Sequence, residues 1–169
     1  MAGMTPSITP WALAAAALAF AVPAGARVVD SWEVGPSLQS CTMMSTFEDD
    51  VGIGLVWTPK TGELGFVASV PRPSGLGDRQ AAPLTLTFDG DAALTEWEDQ
   101  RAAVVSGSRA DAVIASWGAA HSDELAKAVT AASHVVVRIG ERTIGRYDLS
   151  GSPAAYRELT HCGSQIASR

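Results

Sequence analysis

The sequence predicts a mainly β domain of the α+β class, either an antiparallel β-sandwich or a strongly curved sheet, with one or two helices near the C-terminus. Three observations predict this class. Segments in which apolar and polar residues alternate recur between turn signals in the first half of the chain. A β-hairpin pattern covers residues 134–149. Helical spacing of apolar residues is clearest in the last third of the sequence.

The early strands are predicted from a two-residue periodicity. Val28, Trp32 and Val34 fall on one side of the first strand, and the later strands place their large apolar residues in the same way. Turn-forming stretches such as 47–50 separate these segments and predict a meander, and residues 89–91 are a further predicted turn. Trp32 and Trp57 lie at inward positions and are expected to be core residues. The predicted strands cover residues 28–34, 40–47, 51–58, 64–70 and 84–88.

Residues 71–83 form the longest predicted loop, since they contain three prolines and two glycines. A loop of this kind is often a binding surface, and an insertion tolerated at a sheet edge is the alternative. Residues 92–118 are ambiguous between short helix and strand, although residues 112–117 are typical of a strand that is apolar on both faces.

Two helices are predicted after residue 118. The first begins with Ser122 as its N-cap, followed by apolar residues at helical spacing. The hairpin 134–149, with Gly140–Glu141 as its turn, comes next. Ser152 then caps a second helix with Pro153 in the first position, and Gly163 is expected to end it. Leu159 and Cys162 share the inward face of this helix.

The first 26 residues are predicted to be a cleaved secretory signal peptide. They contain no charged side chain, carry an apolar run from residue 11 to residue 22, and end in Ala24–Gly25–Ala26, a pattern typical of a cleavage site. An uncleaved anchor is the alternative. Residues 27–169 then form a single domain, and the preference for Arg over Lys favours a bacterial periplasmic or secreted location.

Cys41 and Cys162 are the only cysteines, and both lie in the predicted exported part. An oxidising compartment tends to pair an even number of cysteines, so we predict a disulfide between them. In the chain-entropy model, closing a loop of about 120 residues stabilises the domain by roughly 5 kcal/mol. Two buried free cysteines are the alternative, and the absence of a C-x-x-C spacing argues against a redox pair.

Composition and motifs exclude several function classes. The net charge of −6 disfavours nucleic acid and anionic lipid as partners. His121, His134 and His161 are widely spaced, so no metal site is predicted, and the acidic residues 48–50 lack the spacing of a calcium-binding loop. No nucleophile elbow and no phosphate-binding motif is present, so neither a catalytic residue nor a cofactor is predicted.

Three arginines, Arg138, Arg142 and Arg146, fall around the predicted hairpin. Arg142 and Arg146 have the same parity, so they are expected to form a basic strip on an edge strand. Such a strip can meet an anionic polymer of the envelope, but charge on an edge strand more often prevents aggregation.

Several short motifs resemble those of a known group of proteins. W-E-V at 32–34, S-C-T-M at 40–43 and D-L-S-G-S-x-A-A-x-x-x-L-x-x-C at 148–162 resemble small secreted alphaproteobacterial proteins similar to the invasion-associated locus B family. The resemblance covers about thirty residues. It implies a periplasmic or surface β-rich protein with an opening W-x-V strand and a closing strand, Ser-Gly and helix, and it assigns no functional residue.

The sequence therefore predicts a non-enzymatic, exported, envelope-associated or binding protein that is monomeric and has no stable membrane span after cleavage. Its partner is expected to be an envelope protein or polymer. A small periplasmic hydrolase or other enzyme is the alternative, and a purely structural envelope protein is a third interpretation. An enzyme is expected to hold histidines or carboxylates with shifted pKa values in a concave pocket.

Overall fold

The computed structural model describes residues 26–48, 51–72, 74–77, 82–89, 96–107 and 110–168. The predicted leader, apart from Ala26, lies outside these residues, as do parts of the predicted turns at 47–50 and 89–91. Ten strands and two helices are described: β1 (Arg27–Val29), β2 (Trp32–Ser37), β3 (Ser40–Thr46), β4 (Gly52–Thr58), β5 (Glu63–Pro71), β6 (Ala82–Phe88), β7 (Glu96–Ser106), β8 (Ala110–Trp117), α1 (Ala119–Ala131), β9 (His134–Ile139), β10 (Arg142–Asp148) and α2 (Ser152–Ala167).

The strands form two antiparallel sheets that share β7. The large sheet has the order β1-β2-β3-β4-β5-β8-β7, and the small sheet has the order β7-β6-β9-β10. β7 changes sheets along its length, since Ala103–Ser106 pair with β8 and the residues up to Ala102 pair with β6. The predicted mainly β, sandwich-like fold with helices towards the C-terminus is confirmed.

One hydrophobic core joins the facing sides of the two sheets and both helices. Trp32, Phe66 and Trp117 contribute from the large sheet, and each is at most 1% exposed. Smaller apolar side chains of the small sheet and of both helices complete the cluster. Tyr147 of β10 donates its hydroxyl to the backbone oxygen of Ser69 in β5 over 3.0 Å. Burial raises the pKa of Tyr147 to about 12, so its hydroxyl remains a donor to this bond between the sheets at moderately alkaline pH as well.

One strand prediction is wrong, and one segment that the sequence leaves ambiguous is resolved as strand. Residues 28–34 form a tight hairpin of β1 and β2, because Asp30 and Ser31 adopt positive φ angles of 45° and 72°. Val28 consequently leaves the predicted buried face and is 74% exposed. The ambiguous segment 92–118 contains no helix among its described residues before Gly118, since β7 and β8 occupy it. β8 is buried on both faces, as predicted.

The helix caps also differ from the prediction. α1 begins at Ala119 with Gly118 as its N-cap, so Ser122 lies inside the first turn. Its hydroxyl donates to the backbone oxygen of Gly62 over 2.8 Å and so holds α1 against the β4–β5 turn. Gly151 is the N-cap of α2, and the hydroxyl of Ser152 donates to the Val129 oxygen of α1 over 2.9 Å. Both serines connect elements instead of capping helices.

Gly163 does not end α2, which continues to Ala167. A Cβ atom at this position would lie 2.5 Å from the Trp57 ring, so glycine allows the helix to pack closely against β4. His161 consequently lies before the last helical turn. Trp57, predicted to be a core residue, is only partly buried, whereas Trp32 is buried as expected.

Candidate functional site

The outward-facing side of the small sheet carries a group of charged and polar residues from three neighbouring strands. The strand register places three rows there. Each row has one residue from the β6 side, one from β9 and one from β10. The first row contains Thr85, Arg138 and Thr143, and the second contains Thr87, Val136 and Arg146. The third row, at the strand ends, contains Asp89, His134 and Asp148. We call these nine residues the polar face.

A β-bulge determines which arginines reach the polar face. The register of β10 shifts between Thr143 and Gly145, so Arg142 pairs with Ile139 while Arg146 pairs with Val136. The predicted strip of Arg142 and Arg146 on one face is therefore wrong. Arg146 shares its face with Arg138 of the central strand β9, and the Arg142 side chain lies on the other side, near Gly75.

Arg138 lies in the middle of the polar face and is half-buried. Its Nε atom is enclosed by neighbouring atoms and finds no hydrogen-bond partner within the described ranges. Its Nη2 atom makes one long contact of 3.5 Å to the backbone oxygen of Glu141. An enclosed N–H group without an acceptor costs about 1–3 kcal/mol, so the hydrogen-bonding capacity of this guanidinium is poorly satisfied.

Asp89 is the centre of a network at one end of the polar face. Its carboxylate accepts hydrogen bonds from the backbone N–H of His134 and from Arg146 Nη2, the latter over 3.0 Å, and lies 3.1 Å from His134 Nδ1. Desolvation raises the pKa of Asp89, but the His134 backbone bond, then Arg146 and the His134 ring, together outweigh it. The pKa of Asp89 is consequently lowered, and its negative charge is fixed at neutral pH.

Asp148 provides a second fixed negative charge beside His134, to which it is paired across β9 and β10. The hydroxyl and the backbone N–H of Ser150 donate to Asp148 Oδ1 over 2.7 Å and 2.9 Å. These two bonds, the hydroxyl bond first, lower the pKa of Asp148. His134 therefore lies between two carboxylates that both remain ionised at neutral pH.

The Asp89–His134 contact orients an imidazole ring as a general base requires. The hydroxyl of Ser150, near His134 across the hairpin, donates to Asp148 and so is engaged elsewhere. The other two histidines lie far from this network: His121 contacts Glu124 on α1, and His161 contacts Gln165 on α2. Within the described ranges no group of three or more His, Cys, Asp or Glu side chains is placed to hold a metal ion.

The predicted 71–83 loop is shorter than expected, since β5 includes Pro71 and β6 begins at Ala82. Its described part is tied to the large sheet. Ser74 donates its hydroxyl to Asp111 Oδ2, and Arg72 Nε lies 3.3 Å from Asp111 Oδ1, an ion pair without hydrogen-bond geometry. Arg72 also donates to the Gly107 oxygen over 2.8 Å. These contacts hold Arg72 and Ser74 against the domain.

The two cysteines lie where the sequence predicts. Cys41 of β3 and Cys162 of α2 have Cα atoms 6.1 Å apart and are at disulfide distance across 121 positions. Leu159, one turn earlier in α2, is fully buried in the core, as its shared face with Cys162 predicts. The bond joins the last element of the fold to one of the first.

Sequence analysis missed the network of Asp89 and His134. The sequence predicts Asp89 within a turn and His134 at the start of a strand, and neither segment has a local motif that marks a site. They meet because β6 pairs with β9 across 45 positions of sequence. No local pattern shows this pairing. The bulge that turns Arg146 to the polar face has a weak local signal, the glycine at position 145 within a strand.

The fold and its surface define a class: a disulfide-linked antiparallel β-sandwich whose small sheet presents an open polar face. No family model, curated protein or solved structure matches this chain. None of the helices in the described part of the chain has both the length and the apolar character needed to cross a bilayer.

Proposed function

We propose that this chain is a non-enzymatic binding protein of the bacterial envelope, located in the periplasm or on the cell surface. The observation that carries the proposal is the Cys41–Cys162 pair at disulfide distance, because structural disulfides are typical of oxidising compartments. The leader-like first 26 residues support the same location.

The binding role is supported by the polar face. It is an exposed sheet surface on which Asp89 and Arg146 hold each other in place, and both side chains are substantially open to solvent, at 45% and 61%. Pre-ordered charges on a rigid sheet suit recognition, since little side-chain entropy is lost on binding. The resemblance to the invasion-associated locus B family is part of this proposal, and its W-x-V and Ser-Gly motifs lie in β2 and at the β10–α2 junction.

Export is tested by fractionating bacteria that express the full chain with a C-terminal tag. We expect the product in the periplasmic or secreted fraction, beginning near Arg27, with both cysteines protected from alkylation until a reductant is added. A cytoplasmic product that keeps its leader and has two alkylated cysteines would contradict the proposal.

An enzyme is the alternative, and the Asp89–His134 contact is the observation that favours it. A His134→Gln variant distinguishes the two roles. A hydrolase would lose turnover of a panel of ester and glycoside substrates with this change, whereas a binding protein shows no turnover in either form.

A further inference from the structure

We infer that the polar face binds an oxyanion, a phosphate or carboxylate group carried by an envelope polymer, between Arg138 and Arg146. This inference rests on the proposed binding function and names its ligand chemistry. The two arginines project from neighbouring strands on one face, at diagonal positions of the register. Diagonal neighbours are about 7–8 Å apart, so two guanidinium groups can reach one oxyanion from both sides.

The missing hydrogen-bond acceptor at Arg138 Nε indicates which group the ligand contacts. Arg146 has a carboxylate partner in Asp89, but Arg138 has no ion-pair partner in the portions of the chain that the structure describes. Rotation of Arg138 outward would free its enclosed Nε–H and present the Nε and Nη donors together. A phosphate or carboxylate accepts two such parallel bonds, and charge-assisted bonds of this kind are about twice as strong as neutral ones.

The surroundings of Arg138 favour an oxyanion over an apolar ligand. Thr85 and Thr143 flank it in the register, which adds hydroxyl donors on both sides, and the central Val136 is the only apolar side chain among the nine residues of the polar face. Arg138 lies in the central strand β9, so protection of an exposed edge does not explain its charge. A sheet face with exposed side chains at Arg146, Asp89 and Asp148 suits a group on an extended polymer better than an enclosed small molecule.

The net charge of the protein affects the range over which the site attracts an anion and the salt dependence of binding. The chain carries a net charge of −6, so an anion is attracted only close to the arginine pair. Surface charges are screened beyond about 8–10 Å at physiological ionic strength. Binding should therefore weaken as salt is raised.

The test measures binding of polygalacturonate, inorganic phosphate and neutral dextran to the mature, oxidised protein by calorimetry at low and high salt. We expect binding of polygalacturonate or of phosphate, and none of dextran. The arm that binds identifies the source of the oxyanion. Absence of binding to both anions would overturn the inference.

Arg138→Gln and Arg146→Gln should each weaken the anion affinity about tenfold or more, since each removes charge-assisted bonds. Arg142→Gln is the matched control, because Arg142 belongs to the same hairpin but lies on the other side of it. Arg146 is 61% exposed, so its variant should fold even if the Arg138 variant does not. Equal affinities in all three variants and the parent protein would refute the site.

The two proposals fail separately. A protein that is exported and oxidised but binds neither anion keeps the proposed location and loses this site. A protein that binds the anions through Arg138 but is found reduced in the cytoplasm keeps the site and loses the envelope function.

Discussion

The outer sides of the two sheets differ in composition although both lie on the same framework. From β3 to β7 the register of the large sheet aligns the uncharged residues Met44, Gly54, Val67, Ile114 and Ala103, and Glu33 of β2 continues this row beside Met44. Across the small sheet the corresponding rows contain Arg138, Arg146 and the Asp89–His134 network. The inner faces satisfy the requirement for a core, so the outer faces are free to differ in composition.

The apolar row of the large sheet has its own packing. Val67 is 1% exposed and forms a small cluster with Met44 and Val56, separate from the main core. The Met44 side chain lies across Gly54, where a Cβ atom would collide with it. Glycine therefore lets a long side chain cover the sheet. The polar face makes no comparable closed layer, since Thr85, Thr87 and Val136 are all half-buried.

The largest expected effect is the loss of stability when the disulfide is removed. This bond ties α2 to the large sheet, so its loss should destabilise the domain that carries both outer faces. Reduction of the Cys41–Cys162 bond should lower the free energy of unfolding by up to about 5 kcal/mol, because the unfolded chain regains the entropy of a long loop. Urea unfolding with and without reductant measures it. Cys41→Ser/Cys162→Ser should match the reduced protein, and an unchanged midpoint on reduction would contradict the prediction.

A charge introduced on each outer face should sharpen the contrast between them. Val67→Asp places a carboxylate in an enclosed apolar cluster and should cost about 3 kcal/mol or more. Thr87→Asp on the half-buried polar face, in the same register row as Arg146, should change stability by less than about 0.5 kcal/mol. Chemical denaturation compares the two variants. Similar losses in both would show that the faces do not differ in packing as described.

The close packing on the large sheet is tested by its glycines. Gly54→Ala should destabilise by about 1–3 kcal/mol, since the new Cβ would lie 2.7 Å from the Met43 backbone oxygen, which cannot easily move. Gly65→Ala is the control on the same face, because its Cβ would meet the nearest atom at 3.5 Å, an ordinary contact. Equal midpoints for the two variants in urea would be evidence against the packing of Met44 over Gly54.

The sequence predicts this fold well where the signal is local. Alternation identified most strands, the Gly140–Glu141 turn identified the β9–β10 hairpin, and the cysteine count predicted the pair that the structure places at disulfide distance. Predictions failed where neighbours in space decide. Gly163 lies inside α2 at the point where the helix packs against Trp57, and its lack of a Cβ atom allows that close contact. Ser122 does not cap α1, because its hydroxyl donates to the β4–β5 turn.

The candidate site was only partly predictable for the same reason. The sequence shows the arginines but not the bulge between Thr143 and Gly145. The bulge places Arg142 and Arg146 on opposite sides of the sheet, so residue parity alone pairs Arg146 with Arg142 instead of Arg138. The turn at Asp30 and Ser31 is a second feature that the sequence does not predict. Both residues have positive φ angles, and neither is a glycine, the residue that usually indicates such a turn. Pairing of β6 with β9 depends on the fold as a whole.

The smallest expected effect is the change in stability on removing the charge of Asp89, which lies at one end of the polar face. Asp89→Asn keeps the shape but removes the charge that Arg146 and His134 contact. Folding lowers the pKa of Asp89, so the ionised form is favoured in the folded state. Its stabilising contribution is therefore fully present above the unfolded-state pKa of roughly 3.9 and is lost as pH falls through the lower folded-state value.

Thermal unfolding of the parent protein and of Asp89→Asn from neutral pH to about pH 2 tests this sign. The parent should be slightly more stable at neutral pH, and the two curves should converge at the acidic end, where the carboxyl is protonated in both states. Glu141→Gln, an exposed change at the hairpin turn, controls for the removal of a surface carboxylate. A difference that grows towards acidic pH would mean that Asp89 is not held ionised by its partners, and the polar face would then lack the fixed charge that separates it from the large sheet.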